Sequence, residues 1–169
     1  LFLLTGDVQI GKTRWLENLC ASLQAAGTCV AGVVAPGQWA PRPEGQPGGK
    51  HGFDGTGRFE KLGIDNVLLP QGTRIGFARR RDLAAKSKAF TEGTQAKAAK
   101  LGWAISDTAI AQVNSHFAAL AKQAANETRL APHAVLVVDE LGRLELLRGC
   151  GLTNALAILD AGPTPQFPH

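Results

Sequence analysis

Apolar residues recur along this chain at intervals of three and four, which predicts amphipathic helices. One stripe (Leu16, Leu19, Cys20 and Leu23) marks a helix over residues 14–26, with Gly27 where a C-cap belongs. A longer stripe follows Asp107, the expected N-cap, and consists of Ile110, Val113, Phe117, Leu120 and Ala124. Residues 152–160 predict a last helix.

Short apolar, β-branched runs predict strands between these helices. They cover residues 1–4, 28–34, 102–105 and 134–138. Residues 63–78 predict a β-hairpin, because apolar positions alternate on both sides of the turn residues 70–73. Residues 36–57 contain four Pro and seven Gly and predict a loop, as do residues 141–145.

This order of elements predicts an α/β fold with helices on both sides of a mostly parallel sheet. Residues 36–105 form an insertion of loop and antiparallel hairpin. The 169 residues, 44% of them hydrophobic, suit one domain over residues 1–169. The chain lacks Met, starts inside a predicted strand and stops in a Pro-rich loop, so we expect it to be incomplete at both ends.

The predicted first strand and helix enclose a phosphate-binding motif, GDVQIGKT. Its predicted ligand-binding residues are Gly6, Asp7, Val8, Gln9, Ile10, Gly11, Lys12 and Thr13. Backbone N–H groups and the helix N-terminus would face phosphate, Lys12 would reach the terminal phosphates, and the Thr13 hydroxyl would bind Mg²⁺. The alternative is a glycine-rich turn that binds nothing.

A second motif, AVLVVDE over residues 134–140, is typical of a buried parallel strand with an acidic carboxyl end. Asp139, 126 residues after Thr13, is predicted to hold Mg²⁺ directly or through water. Glu140 is the candidate that orients or deprotonates a nucleophilic water. In the alternative, Asp139 is a helix cap and Glu140 caps the next segment or pairs with Arg143, leaving water activation to Glu145 or the arginines at 79–81.

The net charge of +4 is concentrated in one segment, since residues 79–100 carry seven Lys or Arg against two acids. Such a basic segment could bind polyphosphate or nucleic acid. Phe90 is its only aromatic residue, so a solvated helical stretch is favoured and nucleic acid is not a predicted partner.

Targeting and metal-binding signals are missing from the sequence. No apolar run approaches the roughly 18 residues of a membrane span, and no signal peptide is visible. Cys20, Cys29 and Cys150 show neither disulfide nor zinc spacing, which favours a reducing cytoplasm, with Cys20 buried as a small hydrophobe. The histidines (His51, His116, His133 and His169) lack ligand spacing and are predicted in loops or at the surface.

Taken together, these motifs resemble one family. The segments are GDVQIGKT, AGVVAPG at 31–37, GIDNVLLPQGTRIGFARR at 63–80, GWAISDTAI at 102–110 and VVDELGRLEL at 137–146. They resemble the small nucleoside-triphosphatase family of bacteria and archaea that includes the human cancer-related nucleoside-triphosphatase. Related uncharacterised proteins, some suspected of links to molybdenum metabolism, share the pattern.

This resemblance implies a RecA-like P-loop fold and Mg²⁺-dependent hydrolysis of ATP, GTP and other nucleoside triphosphates. Residues 6–13 would bind phosphate, Asp139 the metal and Glu140 the catalytic water. The chain departs from the family at Gln9, where members usually carry a third glycine. It also ends where members continue with a further strand and helix, which puts the base side of the pocket in doubt.

Two other functions fit the same motifs. A P-loop kinase would use Arg79, Arg80 and Arg81 as a mobile lid over the phosphates. A non-catalytic switch would bind nucleotide tightly and turn it over very slowly, with a partner reading the bound state. The acidic pair at 139–140 suits water activation better than transfer to an acceptor, so hydrolysis ranks first.

Overall fold

A computed structural model describes residues 1–7, 9–43, 58–87, 90–98, 102–125 and 134–168. The strands are β1 (Val30–Val34), β2 (Gly37–Pro41), β3 (Phe59–Leu69), β4 (Thr73–Arg80), β5 (Trp103–Ile105) and β6 (Val135–Val138). The helices are α1 (Lys12–Ala25), α2 (Arg81–Ala84), α3 (Thr94–Ala98), α4 (Asp107–Ala125), α5 (Arg143–Arg148) and α6 (Thr153–Asp160). The chain therefore has an α/β fold, as predicted.

The strands of the described residues form one mixed sheet in the order β5-β4-β3-β1-β6, with β2 paired to β3. Only β1 and β6 run parallel, from Val30 beside Val135 to Val33 beside Val138. All other pairings are antiparallel. The prediction of a mostly parallel sheet was wrong, because strands of the predicted insertion make up the larger part of the sheet and pair in antiparallel fashion.

Helices cover both faces of this sheet. The predicted stripe of α4 is buried on the face that includes Val33 and Ile64. On the other face, Cys20 of α1 packs with Val34 and Val137. Successive residues of a strand point to opposite faces, so Val33 and Val34 separate the two cores. The predicted burial of Cys20 is confirmed.

Residues 1–4 do not form the predicted strand. They belong to no helix or strand, and Phe2 is 92% exposed. The chemistry predicted for the two motifs also implied that residues 1–4 and residues 134–138 lie parallel in one sheet, so that Thr13 and Asp139 could share a metal ion, and this expectation was wrong. An apolar run favours a strand, but a strand also needs a neighbour for its backbone hydrogen bonds, and local sequence does not supply one.

The predicted loop at residues 36–57 contains strand β2, which was missed. β2 pairs with β3 alone, and an edge strand tolerates Pro41 because one side of its backbone needs no partner. Residues 44–57 lie outside the described part of the chain. The β3–β4 hairpin and β5 are confirmed.

Two helix starts differ from the prediction. The Ser106 hydroxyl, rather than Asp107, accepts the Ala109 N–H at 3.2 Å and caps α4. The Asp107 carboxylate instead accepts hydrogen bonds from the N–H and hydroxyl of Thr94 at the start of α3. Helix α5 occupies part of the segment that was predicted as a loop.

His116 also differs from its predicted surface position. It lies on α4, half-buried, with Nε2 3.1 Å from the Gly32 carbonyl oxygen of β1. His51, His133 and His169 lie outside the described residues. No helix in the described ranges is long and apolar enough to cross a bilayer.

Candidate phosphate and metal site

The predicted phosphate-binding loop lies directly before α1. Gly11 has a left-handed φ of 103° at the helix start, and its carbonyl accepts the Trp15 N–H at 2.9 Å. The Lys12 ammonium turns back into the loop, where it donates hydrogen bonds to the carbonyl oxygens of Gly6 (2.8 Å) and Asp7 (2.7 Å). These two hydrogen bonds hold the backbone of the loop around the Lys12 ammonium. Val8 is outside the described residues.

Two non-glycine residues in the described chain have positive φ, and both belong to the predicted site. Gln9 has φ 67° and Glu140 has φ 66°. This left-handed conformation is costly for residues with a side chain, and such strain tends to occur at functional sites. At Gln9 the loop thus adopts a backbone conformation that favours glycine.

Asp139 follows β6 and is anchored by β1. Its N–H donates to the Val33 carbonyl at 3.1 Å, and its Oδ2 accepts the Ala35 N–H at 3.0 Å. The residue is 7% exposed, and no group of the described chain donates a hydrogen bond to its Oδ1. One carboxylate oxygen is therefore fixed, while the other can act as a ligand.

Glu140 lies next to Asp139 but in a different environment. The residue is exposed at the surface, yet protein packed around its carboxyl group displaces water and raises the pKa above its ordinary value. Lys61 and Lys12 oppose this rise, and Asp139 adds to it. The Glu140 carboxyl therefore lies within electrostatic reach of the lysine of the loop, although the two are far apart in the sequence.

Glu145, the alternative water-activating residue, is occupied elsewhere. Its Oε2 accepts the Gly142 N–H and its Oε1 accepts the Leu152 N–H, each at 2.8 Å. The residue is 7% exposed. It therefore joins the starts of α5 and α6. This use of both oxygens leaves Glu140 as the carboxylate better placed to meet water.

Arg80 and Arg81 of the predicted lid form ion pairs with acidic side chains. Arg80 pairs with Glu60 and Asp82, contacts that raise the pKa of its guanidinium further. Arg81 pairs with Glu92. A lid built from these side chains would first have to break those ion pairs. The basic segment forms the short helices α2 and α3 rather than one long helix.

Two predicted magnesium ligands, Thr13 and Asp139, can be compared with what a magnesium ion requires. No cluster of three or more His, Cys, Asp or Glu suited to a metal occurs within the described ranges. Mg²⁺ in a P-loop site needs only one hydroxyl and one carboxylate from the protein, because phosphates and water complete the octahedron. Half-buried Thr13 and the open Oδ1 of Asp139 are hard oxygen donors of the required kind.

Sequence reasoning missed Lys61 of β3, whose charge acts on Glu140 more strongly than that of Lys12. It belongs to no motif, and its neighbours at 59–62 form an ordinary strand pattern. Its influence on Glu140 arises in the tertiary structure, because the two residues are far apart in the sequence.

Comparison of the chain with protein-family models, curated proteins and solved structures gave no match. No family membership follows from these comparisons. The function is therefore argued from the residues and geometry of the site.

Proposed function

We propose that this protein is a P-loop nucleoside triphosphatase of RecA-like type that hydrolyses ATP or GTP to diphosphate and phosphate with Mg²⁺. The observation that carries the proposal is the position of Lys12. Its ammonium lies between the loop carbonyls of Gly6 and Asp7, and its charge reaches the carboxyl of Glu140. A phosphate in the loop would therefore meet a cation with an acidic residue close by.

Each residue then has a distinct task. The loop N–H groups and the α1 N-terminus bind the phosphates, and Lys12 exchanges its carbonyl partners for phosphate oxygens. Thr13 and Asp139 would hold Mg²⁺, which neutralises charge on the transferring phosphoryl group when bound. Glu140 orients the attacking water, and its raised pKa makes it a better proton acceptor than an ordinary carboxylate.

The engaged arginines favour hydrolysis over the kinase alternative. A kinase lid at 79–81 must move and exclude water, whereas Arg80 and Arg81 are held by three acidic side chains. A phosphorylated product on adding candidate acceptors to ATP would instead support the kinase.

The proposal is tested by phosphate release from ATP, GTP, CTP and UTP with and without Mg²⁺. We expect Mg²⁺-dependent release, and equal rates on the four substrates would indicate a broad hydrolase. Lys12→Ala should abolish binding or turnover without unfolding the protein, because the side-chain hydrogen bonds of Lys12 go to loop carbonyls.

Lys122→Ala is the matched control. Lys122 is exposed near the end of α4 and belongs to neither predicted motif. If Lys12→Ala binds and hydrolyses triphosphate as well as the parent and Lys122→Ala do, the loop is only structural and the proposal fails.

A further inference from the structure

Strand β1 contains a glycine whose backbone conformation other residues avoid. Gly32 has φ 110°, and a Cβ added there would collide with the carbonyl oxygen of Val137 on β6. Residues 33–35 follow it directly and supply both backbone groups that hold Asp139. Since the path of a chain is set by its φ and ψ angles, the conformation at Gly32 determines where these groups lie.

His116 of α4 contacts this glycine. Its Nε2 lies 3.1 Å from the Gly32 carbonyl oxygen. A carbonyl oxygen only accepts hydrogen bonds, so Nε2 carries a proton and is the donor. The ring is half-buried between the helix and the sheet, where little water competes for the carbonyl. His116 therefore fixes β1 at the residue that precedes the Asp139 anchors.

Three hydrogen bonds thus connect α4 with Asp139 by way of β1. The first joins His116 to the Gly32 carbonyl. In the others, the Asp139 N–H donates to the Val33 carbonyl at 3.1 Å, and the Ala35 N–H donates to Asp139 Oδ2 at 3.0 Å. Because the partners on β1 lie within four consecutive residues, a shift of the strand at Gly32 would move both anchors of Asp139 together.

We propose that His116 is a positioning residue of the site, which holds β1 at Gly32 and thereby keeps the Asp139 carboxylate oriented. The value of this orientation for Mg²⁺ rests on the proposed function. Groups behind a metal ligand contribute to metal affinity by fixing the direction of its donor atoms. Without the Nε2 donor, the Gly32 carbonyl loses its link to α4, and the anchors of Asp139 are held less firmly.

Amide hydrogen exchange, followed by NMR on the protein without ligand, tests the inference. Exchange requires the hydrogen bond of an N–H to open, so the Ala35 and Asp139 amides report how firmly Asp139 is held. We expect His116→Phe, which keeps a ring and loses the donor, to speed exchange at both amides by at least about threefold. His116→Gln should retain the parent rates, because its amide places a donor near the Gly32 carbonyl. His116→Met repeats the test should the phenylalanine variant not fold.

The opposite end of the same strand pair supplies an internal control. The Val135 N–H donates to the Cys29 carbonyl at 2.9 Å, before Gly32 in the chain, and should exchange as in the parent. Selective acceleration at the Asp139 end supports the inference. Equal acceleration at both ends, or none, would make His116 a residue of general stability and overturn it.

Asn114→Ala is the matched control variant. Asn114 also lies half-buried on α4, but its side chain forms hydrogen bonds with Gly151 and Asn154 rather than with β1. Its loss should leave the ratio of exchange rates at the two ends of the strand pair unchanged. The same selective acceleration in Asn114→Ala as in His116→Phe would contradict a specific role for His116.

The Mg²⁺ requirement of phosphate release connects the inference with the proposed function. His116→Phe should need at least about threefold more Mg²⁺ for half-maximal release than the parent or His116→Gln. An unchanged requirement, with a parent that depends on Mg²⁺, overturns the inference and leaves the triphosphatase proposal standing. Selective exchange with a parent that releases no phosphate overturns the triphosphatase proposal, while His116 remains a positioning residue for Asp139.

Discussion

At the residue scale, the adjacent carboxylates of Asp139 and Glu140 differ in their suitability for metal binding and for contact with water, because their surroundings differ. Asp139 is buried and fixed through one oxygen by the Ala35 N–H, whereas Glu140 reaches the surface on a left-handed backbone with its pKa raised by surrounding protein. The first environment suits a metal ligand, and the second suits a group that meets water.

Substitution of each carboxylate by its amide should separate these roles. Glu140→Gln keeps the shape and removes the basicity, so turnover should fall by about 10²-fold or more while nucleotide still binds. Asp139→Asn should raise the Mg²⁺ concentration needed for half-maximal phosphate release. Unchanged turnover in Glu140→Gln, with lower thermal stability, would show that Glu140 is structural.

Gln9 provides a second test at this scale. Its φ of 67° costs a residue with a Cβ roughly 1–2 kcal/mol, which glycine avoids, although glycine gains entropy in the unfolded chain. Gln9→Gly should therefore leave the unfolding midpoint nearly unchanged.

Gln112→Gly is the control for this substitution. Gln112 is exposed in the middle of α4, where glycine should destabilise by about 1 kcal/mol. Equal losses of stability in the two variants, measured by urea unfolding, would contradict the claim that Gln9 is strained.

At the element scale, Glu145 connects the starts of helices α5 and α6, which follow the site in the chain. Its carboxylate accepts N–H groups at both helix starts. Gly151 allows this approach, because a Cβ there would lie 2.1 Å from Glu145 Oε1.

Glu145→Gln should therefore destabilise the fold without changing the Mg²⁺ requirement. The new NH₂ group would face a backbone N–H and leave it unpaired, at a cost of about 1–3 kcal/mol. Urea unfolding measures the loss, with Glu17→Gln on the exposed side of α1 as control. A large fall in turnover at unchanged stability would instead make Glu145 the group that activates water.

At the scale of the whole molecule, His116 makes the stability of the fold depend on pH. It lies between α4 and β1, and burial lowers its pKa below the ordinary 6.5. An unfolded chain then binds a proton that the folded one does not, so the free energy of unfolding falls as pH drops below about 6.5.

The urea midpoint should therefore be lower at pH 5.5 than at pH 7.5. His116→Gln should reduce this difference, since it removes the titrating group while keeping a donor near the Gly32 carbonyl. A pH dependence identical to that of the parent would assign the effect to other groups.

Much of the secondary structure could be predicted because it depends on contacts close in sequence. The stripes of α1 and α4, the β3–β4 turn and the apolar run of β6 each follow from neighbouring residues. The chemistry of the two motifs was equally local, since Lys12 and Asp139 were identified by the residues around them.

What local pattern could not decide was pairing between distant segments. The apolar residues 1–4 pair with no strand of the described residues and are exposed. Pro41 lies in a strand because β2 is at the edge of the sheet. Glu145 lies where two helices begin. Lys61, whose charge influences the Glu140 carboxyl, lies on the part of β3 that extends past the end of β1. Hydrogen-bond partners, burial and electric fields depend on distances in space, so these features belong to the tertiary structure rather than to any stretch of sequence.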